Sequence, residues 1–127
     1  MYAHNKGGQV MLMEIVLSQV QAWNSGNLDR LLPHYADTVQ VYAMPDNTVI
    51  FDGKEKLKAH LKPEFDNGKV VQVKVLEKLE YPPYVVLVEE KSAPEGTRRA
   101  VVTYLIEDGK ITKMWIAKVE CKDAINK

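Results

Sequence analysis

From Lys69 onwards the chain alternates. Four apolar runs, "KVVQVKVLEKLEY", "YVVLVEEKS", "TRRAVVTYLIE" and "KITKMWIAKVE", are rich in β-branched residues and separated by turn residues. A run of period two offers one face to a core and the other to different surroundings, so four in succession demand a sheet covered on one side. Pro82-Pro83 divides the first run from the second, and "SAPEG" supplies a looser turn. Asp108-Gly109 between two alternating runs is a strong hairpin signal. An antiparallel sheet is expected, and its cover has to come from the first half.

There the period changes. Leu12, Val16, Gln19 and Trp23 fall on one helical face, with Met13, Leu17 and Val20 beside them, predicting a helix of about four turns. Gly26 stops it and Asn27 caps a second helix, whose apolar face is Leu28, Leu31, Leu32 and Tyr35. Pro33 falls early in that helix, where its missing N–H costs little. In "TVQVYAM" Val39, Val41 and Ala43 alternate with polar or larger residues as in a strand, and "PDN" turns the chain. "FDGKEKLKAHLKPEF" restores helical spacing through Leu57, His60, Leu61 and Phe65, a third, short helix bent or ended by Pro63. Helices segregated from an antiparallel sheet define an α+β fold. Space left between the helices and a curling sheet becomes a concave, mostly apolar pocket, a common site for a small ligand.

A chain of 127 residues suits one domain, here 9–127, preceded by a loose arm over 1–8 that has no periodicity and ends in paired glycines. Seventeen basic side chains balance seventeen acidic ones, so no overall field attracts nucleic acid or an anionic membrane. "VMLMEIVL" is interrupted by Glu14 and far shorter than a membrane span. Cys121 is the only cysteine, which leaves no intramolecular disulfide and makes a reducing cytoplasm the default. It reads as an inert strand-edge residue. His4, His34 and His60 lack metal-ligand spacing, and no glycine-rich phosphate loop follows a strand, so neither metal nor cofactor is expected.

"QAWNSGNLDRLLPHYAD", followed by "TVQVYAMP", Gly53 and "DGKITKMWI", resembles the nuclear transport factor 2-like superfamily, which includes ketosteroid isomerases and SnoaL-like polyketide cyclases. The resemblance covers nearly the whole chain. It implies a cone-shaped curved antiparallel sheet wrapped around three helices of the N-terminal half, and a homodimer through the outer sheet face. Counting from the shared corner, the isomerases' helix-borne tyrosine falls on Gln19 and their catalytic aspartate on Ala43. Neither residue can do the original work. Their second aspartate, a protonated donor, falls near Val102, or on Val101 or Thr103 if the alignment shifts by one residue, and steroid isomerisation of the usual kind is not expected.

Other residues then become candidates. His60 lies on the apolar face of the third helix, where the isomerases place a pocket-lining aromatic, and a histidine there could shuttle a proton near neutral pH. A core or rim histidine bonded to backbone is the alternative, while His34 is expected to be exposed. Gln19 could orient a ligand by its amide, or hold its head in solvent. Tyr104 belongs to the alternating set Ala100, Val102, Tyr104 and Ile106, expected inward, and its hydroxyl could donate to a ligand carbonyl or simply pack.

One of Glu89 and Glu90 must share a face with "VVLV"; inward it would be a general base, although charges tend to stay exposed. For the last strand, strict pairing through Asp108-Gly109 puts Trp115 beside Val102, whereas the family-like spacing turns Met114 and Ile116 inward. Whichever face loses is the candidate dimer surface. The expected pocket wall is Val16, Gln19, Trp23, Val41, Ala43, Glu89, Val102, Met114 and Ile116, with His60 and Tyr104 as catalytic candidates. An apolar small molecule, handled by a cofactor-independent proton-transfer enzyme or by a binding or dimerisation module, is the functional expectation.

Overall fold

The break in the first helical pattern is a capped corner. In the computed structural model, which describes residues 11–119, helix α1 spans Leu12–Ser25 and ends where Gly26 turns left-handed at φ 74°, its N–H donating to the Trp23 carbonyl. The Asn27 side chain then accepts from the Arg30 N–H and opens helix α2, Leu28–Leu31. α2 is shorter than its apolar spacing suggests, because Pro33 falls in a 3₁₀ turn at Leu32–His34 and the chain is already extended at Tyr35. Tyr35 therefore belongs to strand β1, Tyr35–Ala43, and not to the helix. The loose arm, His4 and Cys121 lie outside the described residues.

Asn24 holds this corner to the sheet. Its Nδ2 donates to the Val73 carbonyl at 2.9 Å and its Oδ1 accepts from the Val73 N–H at 2.8 Å, while Trp23 Nε1 donates to the Val71 carbonyl at 2.8 Å. The end of α1 is thereby pinned beside the start of strand β3, Val73–Tyr81.

Strand β2, Thr48–Asp52, was not foreseen; "TVIFD" returns from the Pro45-Asp46-Asn47 turn to pair antiparallel with β1. It is short and four of its five residues are exposed at the sheet edge, so it lacks a buried alternation to announce it. Helix α3 covers Lys54–Asp66 and runs through Pro63 without ending there. Its buried stripe is Leu57, Leu61 and Phe65. Strands β4, Tyr84–Ala93, β5, Gly96–Glu107, and β6, Lys110–Val119, complete one open, curved sheet in the order β2-β1-β6-β5-β4-β3.

The sheet is mixed, not wholly antiparallel, because β1 lies parallel to β6. Hairpin turns force the later neighbours to reverse, whereas β1 and β6 are joined through α3 and four other strands, so no turn sets their relative direction.

The last hairpin resolves the facing of β6. Asp108 and Gly109 take φ of 53° and 76°, as a two-residue turn requires, and Glu107 faces Lys110. Beyond Ile106 and Ile111 the register slips, leaving Thr112 as an extra residue that bonds back to the Leu105 carbonyl and to Glu107. That bulge inverts every side chain after it. Val102 consequently faces Ile116, Tyr104 faces Met114, and Trp115 goes to the outer side beside Thr103. The core between helices and sheet is built on Val16, Val20, Leu31, Val39, Leu61, Leu87, Tyr104 and Ile111.

Candidate functional site

The inner sheet face, α1 and α3 leave a cavity of about 670 Å³, within the usual range for a small-molecule site. Its apolar wall includes Val20, Trp23, Val41, Phe51, Leu61, Val102, Met114 and Ile116. Gln19, Tyr35, Glu89 and Tyr104 supply polar groups to the same lining.

Alternation along β4 puts Val85, Leu87 and Glu89 on the inner face, all buried. Of the two adjacent acids Glu89 is the inward one, only 9% exposed despite the general tendency of charges to stay at the surface, and Glu90 takes the outer side, paired with Arg99 at 2.9 Å. Tyr104 is opposite Val85 and Glu89 is opposite Ala100, with the Leu87–Val102 pair between them on the same inner face. The Tyr104 side chain reaches along that face and its hydroxyl donates to Glu89 Oε2. Burial pushes the Glu89 carboxyl above the ordinary 4.5, against the opposing effects of the Tyr104 bond and the Lys91 charge. Burial, and then the nearby Glu89 charge, raises the Tyr104 phenol well above 10.

Facing this pair, Gln19 Nε2 donates to the Tyr35 hydroxyl at 2.8 Å. Burial raises the Tyr35 phenol as well. Gln19 is only 5% exposed and its Oε1 is buried without a hydrogen-bond partner. Turning the amide over would satisfy Oε1 at Tyr35 and strand the NH₂ group instead, so either orientation leaves one buried polar atom of this lining residue unpaired. The head of Gln19 is buried and not held in solvent.

Seven of the nine expected wall residues line the cavity: Gln19, Trp23, Val41, Glu89, Val102, Met114 and Ile116. Val16 does not, because it is a helical turn before Gln19 and wholly enclosed in the core. Ala43 does not either; it sits at the end of β1, beyond Val41, with only a methyl to reach inward.

His60 lines the cavity from an exposed position on α3, flanking the Leu57–Leu61–Phe65 stripe, with its ring 4.8 Å from that of Phe51. It makes none of the hydrogen bonds of the Gln19–Tyr35 or Glu89–Tyr104 pairs. The two catalytic candidates are not brought together by bonding. His34 is half-buried and held between Ser18 Oγ and the Leu31 carbonyl, both at 3.1 Å, contrary to its expected exposure.

Tyr35 is the polar lining residue that sequence reasoning missed. Its place on the apolar face of the second helical pattern hides it, although its spacing from Val39 and Val41 by even numbers is also a strand signal. Among the described residues no cluster of three or more His, Cys, Asp or Glu is placed to hold a metal ion.

The model of the SnoaL-like domain matches residues 16–114, and the chain belongs to that family. A SnoaL-like protein of unknown function from Burkholderia thailandensis superposes with a TM-score of 0.72 at 18% identity, over 86% of this chain and 94% of that one. A candidate ketosteroid isomerase from Kribbella flavida gives a TM-score of 0.74 at 11% identity, over 91% and 87%. A candidate hydroxylase, AclR from Streptomyces galilaeus, gives 0.68 at 16%, over 84% and 77%. At these identities the likeness is one of fold. A search of curated protein sequences finds no match.

Proposed function

We propose that this protein binds a small, largely apolar molecule bearing a carbonyl group and moves a proton on it without a cofactor, in the manner of an isomerase, cyclase or lyase. The observation that carries the reading is the Glu89 carboxyl, buried in the cavity wall and bonded to Tyr104. A carboxyl whose pKa is raised by burial is suited to taking a proton from carbon and returning it elsewhere. In this reading Glu89 replaces His60 as the base and Tyr104 positions it. Gln19, with its amide reversed so that Oε1 accepts from the Tyr35 hydroxyl, turns its NH₂ group to donate to the ligand oxygen and to a developing enolate. The related structures named for an isomerase and a hydroxylase are consistent with small-molecule chemistry in this fold.

The test is proton exchange. Apolar ketones incubated with the protein in deuterated water are expected to gain deuterium next to the carbonyl, followed by NMR. Glu89→Gln should lower the exchange rate by about 10² to 10⁴-fold, the usual worth of a positioned acid–base group. Exchange that persists in that variant rules Glu89 out as the base; binding without exchange in the wild type leaves a non-catalytic binding module.

A specific feature also supports pairing of two copies through the outer sheet face. Cross-strand register places Val49, Tyr42, Trp115, Thr103, Val86 and Leu79 in one row over all six strands. Trp115 stacks on Tyr42 at 5.9 Å between ring centroids and meets Tyr84 at 6.3 Å. Val49 and Leu79 are exposed at the ends of this row. An apolar row of that extent on a sheet face suits association.

A further inference from the structure

The open end of the cavity carries cations where alternation would allow apolar residues. On β4 the inner set continues from Glu89 to Lys91, on β5 it ends at Arg98, and on β6 it ends at Lys118. All three line the cavity. Lys91 and Arg98 are direct cross-strand partners, and Lys118 faces Ala100, the next inner position of β5. Like charges placed directly opposite on one sheet face are destabilising.

Their existing partners do not remove that conflict. Arg98 has an exposed ion pair with Glu95 within the hairpin, and the Lys91 ammonium lies 4.8 Å from the centre of the Trp23 ring, a contact that orients it over the cavity wall without cancelling its charge. Glu64, on α3, is the acidic residue lining this region besides the deeper Glu89. The chain as a whole has no net charge, so this concentration is local and not a general basic bias. At the other pole, Gln19 keeps its unpartnered buried atom.

We propose that the natural ligand is an amphiphilic anion, an apolar body ending in a carboxylate or similar acidic group, with the anionic end held by Lys91, Arg98 and Lys118 at the mouth and the body along Trp23, Met114 and Ile116. The inference rests on the reading of the cavity as a small-molecule site and adds the charge and the direction of entry. An anion between Lys91 and Arg98 converts their repulsion into two attractions, and the apolar body covers the wall below. The neutral oxygen at the far end of such a ligand is what Gln19 would meet.

The test compares three probes of one chain length: decanoate, decanol and decyltrimethylammonium, each below its micelle concentration. Binding to the full chain is followed by calorimetry. Decanoate is expected to bind at least tenfold more tightly than decanol, with that advantage shrinking as salt is raised, and the cation is expected to bind weakest. The double variant Arg98→Glu/Lys118→Glu should lose at least tenfold in decanoate affinity while decanol stays within twofold and the circular dichroism spectrum is unchanged. If that variant does not fold, the salt dependence of the wild type still decides. Equal affinity for decanoate and decanol, or a decanoate affinity indifferent to salt, overturns the anionic-ligand inference and leaves the cavity reading standing. Failure of all three probes to bind overturns both.

Discussion

Glu89 shows how much one side chain's surroundings decide. Folding raises its pKa above 4.5 because burial disfavours the charged carboxylate more than Tyr104 and Lys91 favour it. The folded chain therefore keeps a proton that the unfolded chain releases. Stability from this group is fully present below the unfolded pKa and is lost as pH rises through the folded one. Relative to Glu89→Gln, the wild-type unfolding free energy should fall as pH is raised from about 4.5, then level off above the folded pKa; urea titrations at several pH values measure this. A difference that does not change with pH would mean that Glu89 titrates alike in both states. That the carboxyl points inward could not be read from "VEEK", because two adjacent acids are compatible with either phase of the strand. Only the inward phase of Val85 and Leu87 resolves it.

Elements are held by capping and pinning that local spacing announces unevenly. Gly26 and Asn27 were legible because an αL stop and an Asn cap are chemical necessities at such a corner. Asn24 was not. It is one residue from the corner, and its amide earns its place only when Val73, far along the chain, arrives beside it. Asn24→Ala leaves both backbone groups of Val73 without that partner and should cost about 1–3 kcal/mol of stability, measurable by denaturant unfolding; an unchanged midpoint would show that water replaces both bonds at no cost. Strand β2 and the Thr112 bulge escaped for a related reason. An exposed edge strand has no hydrophobic signature, and a bulge changes register without changing the run of residue types.

At the scale of the molecule, a sheet with one face on the core and cavity leaves its other face to be explained. Trp115 stands near the middle of the outer row, so Trp115→Glu should disperse a dimer joined there while leaving the inner face untouched. Sedimentation velocity is expected to give a dimer for the wild type and a monomer for the variant; a wild-type monomer at all concentrations would remove the pairing. No helix among the described residues is long and apolar enough to cross a membrane.

The amino-acid sequence by itself determined the α+β class, the helical corner, the hairpins and the inward set Ala100, Val102, Tyr104 and Ile106, because periodicity and turn chemistry act between near neighbours. Only the tertiary structure decided that β1 runs parallel to β6, that Trp115 faces outward, and that Glu89, Tyr104, Tyr35 and Gln19 share one cavity while His60 stands at its exposed flank. Those outcomes depend on a one-residue register slip and on contacts between distant segments. Each such contact exchanges solvation for a specific partner, and no local pattern records which partner will be there.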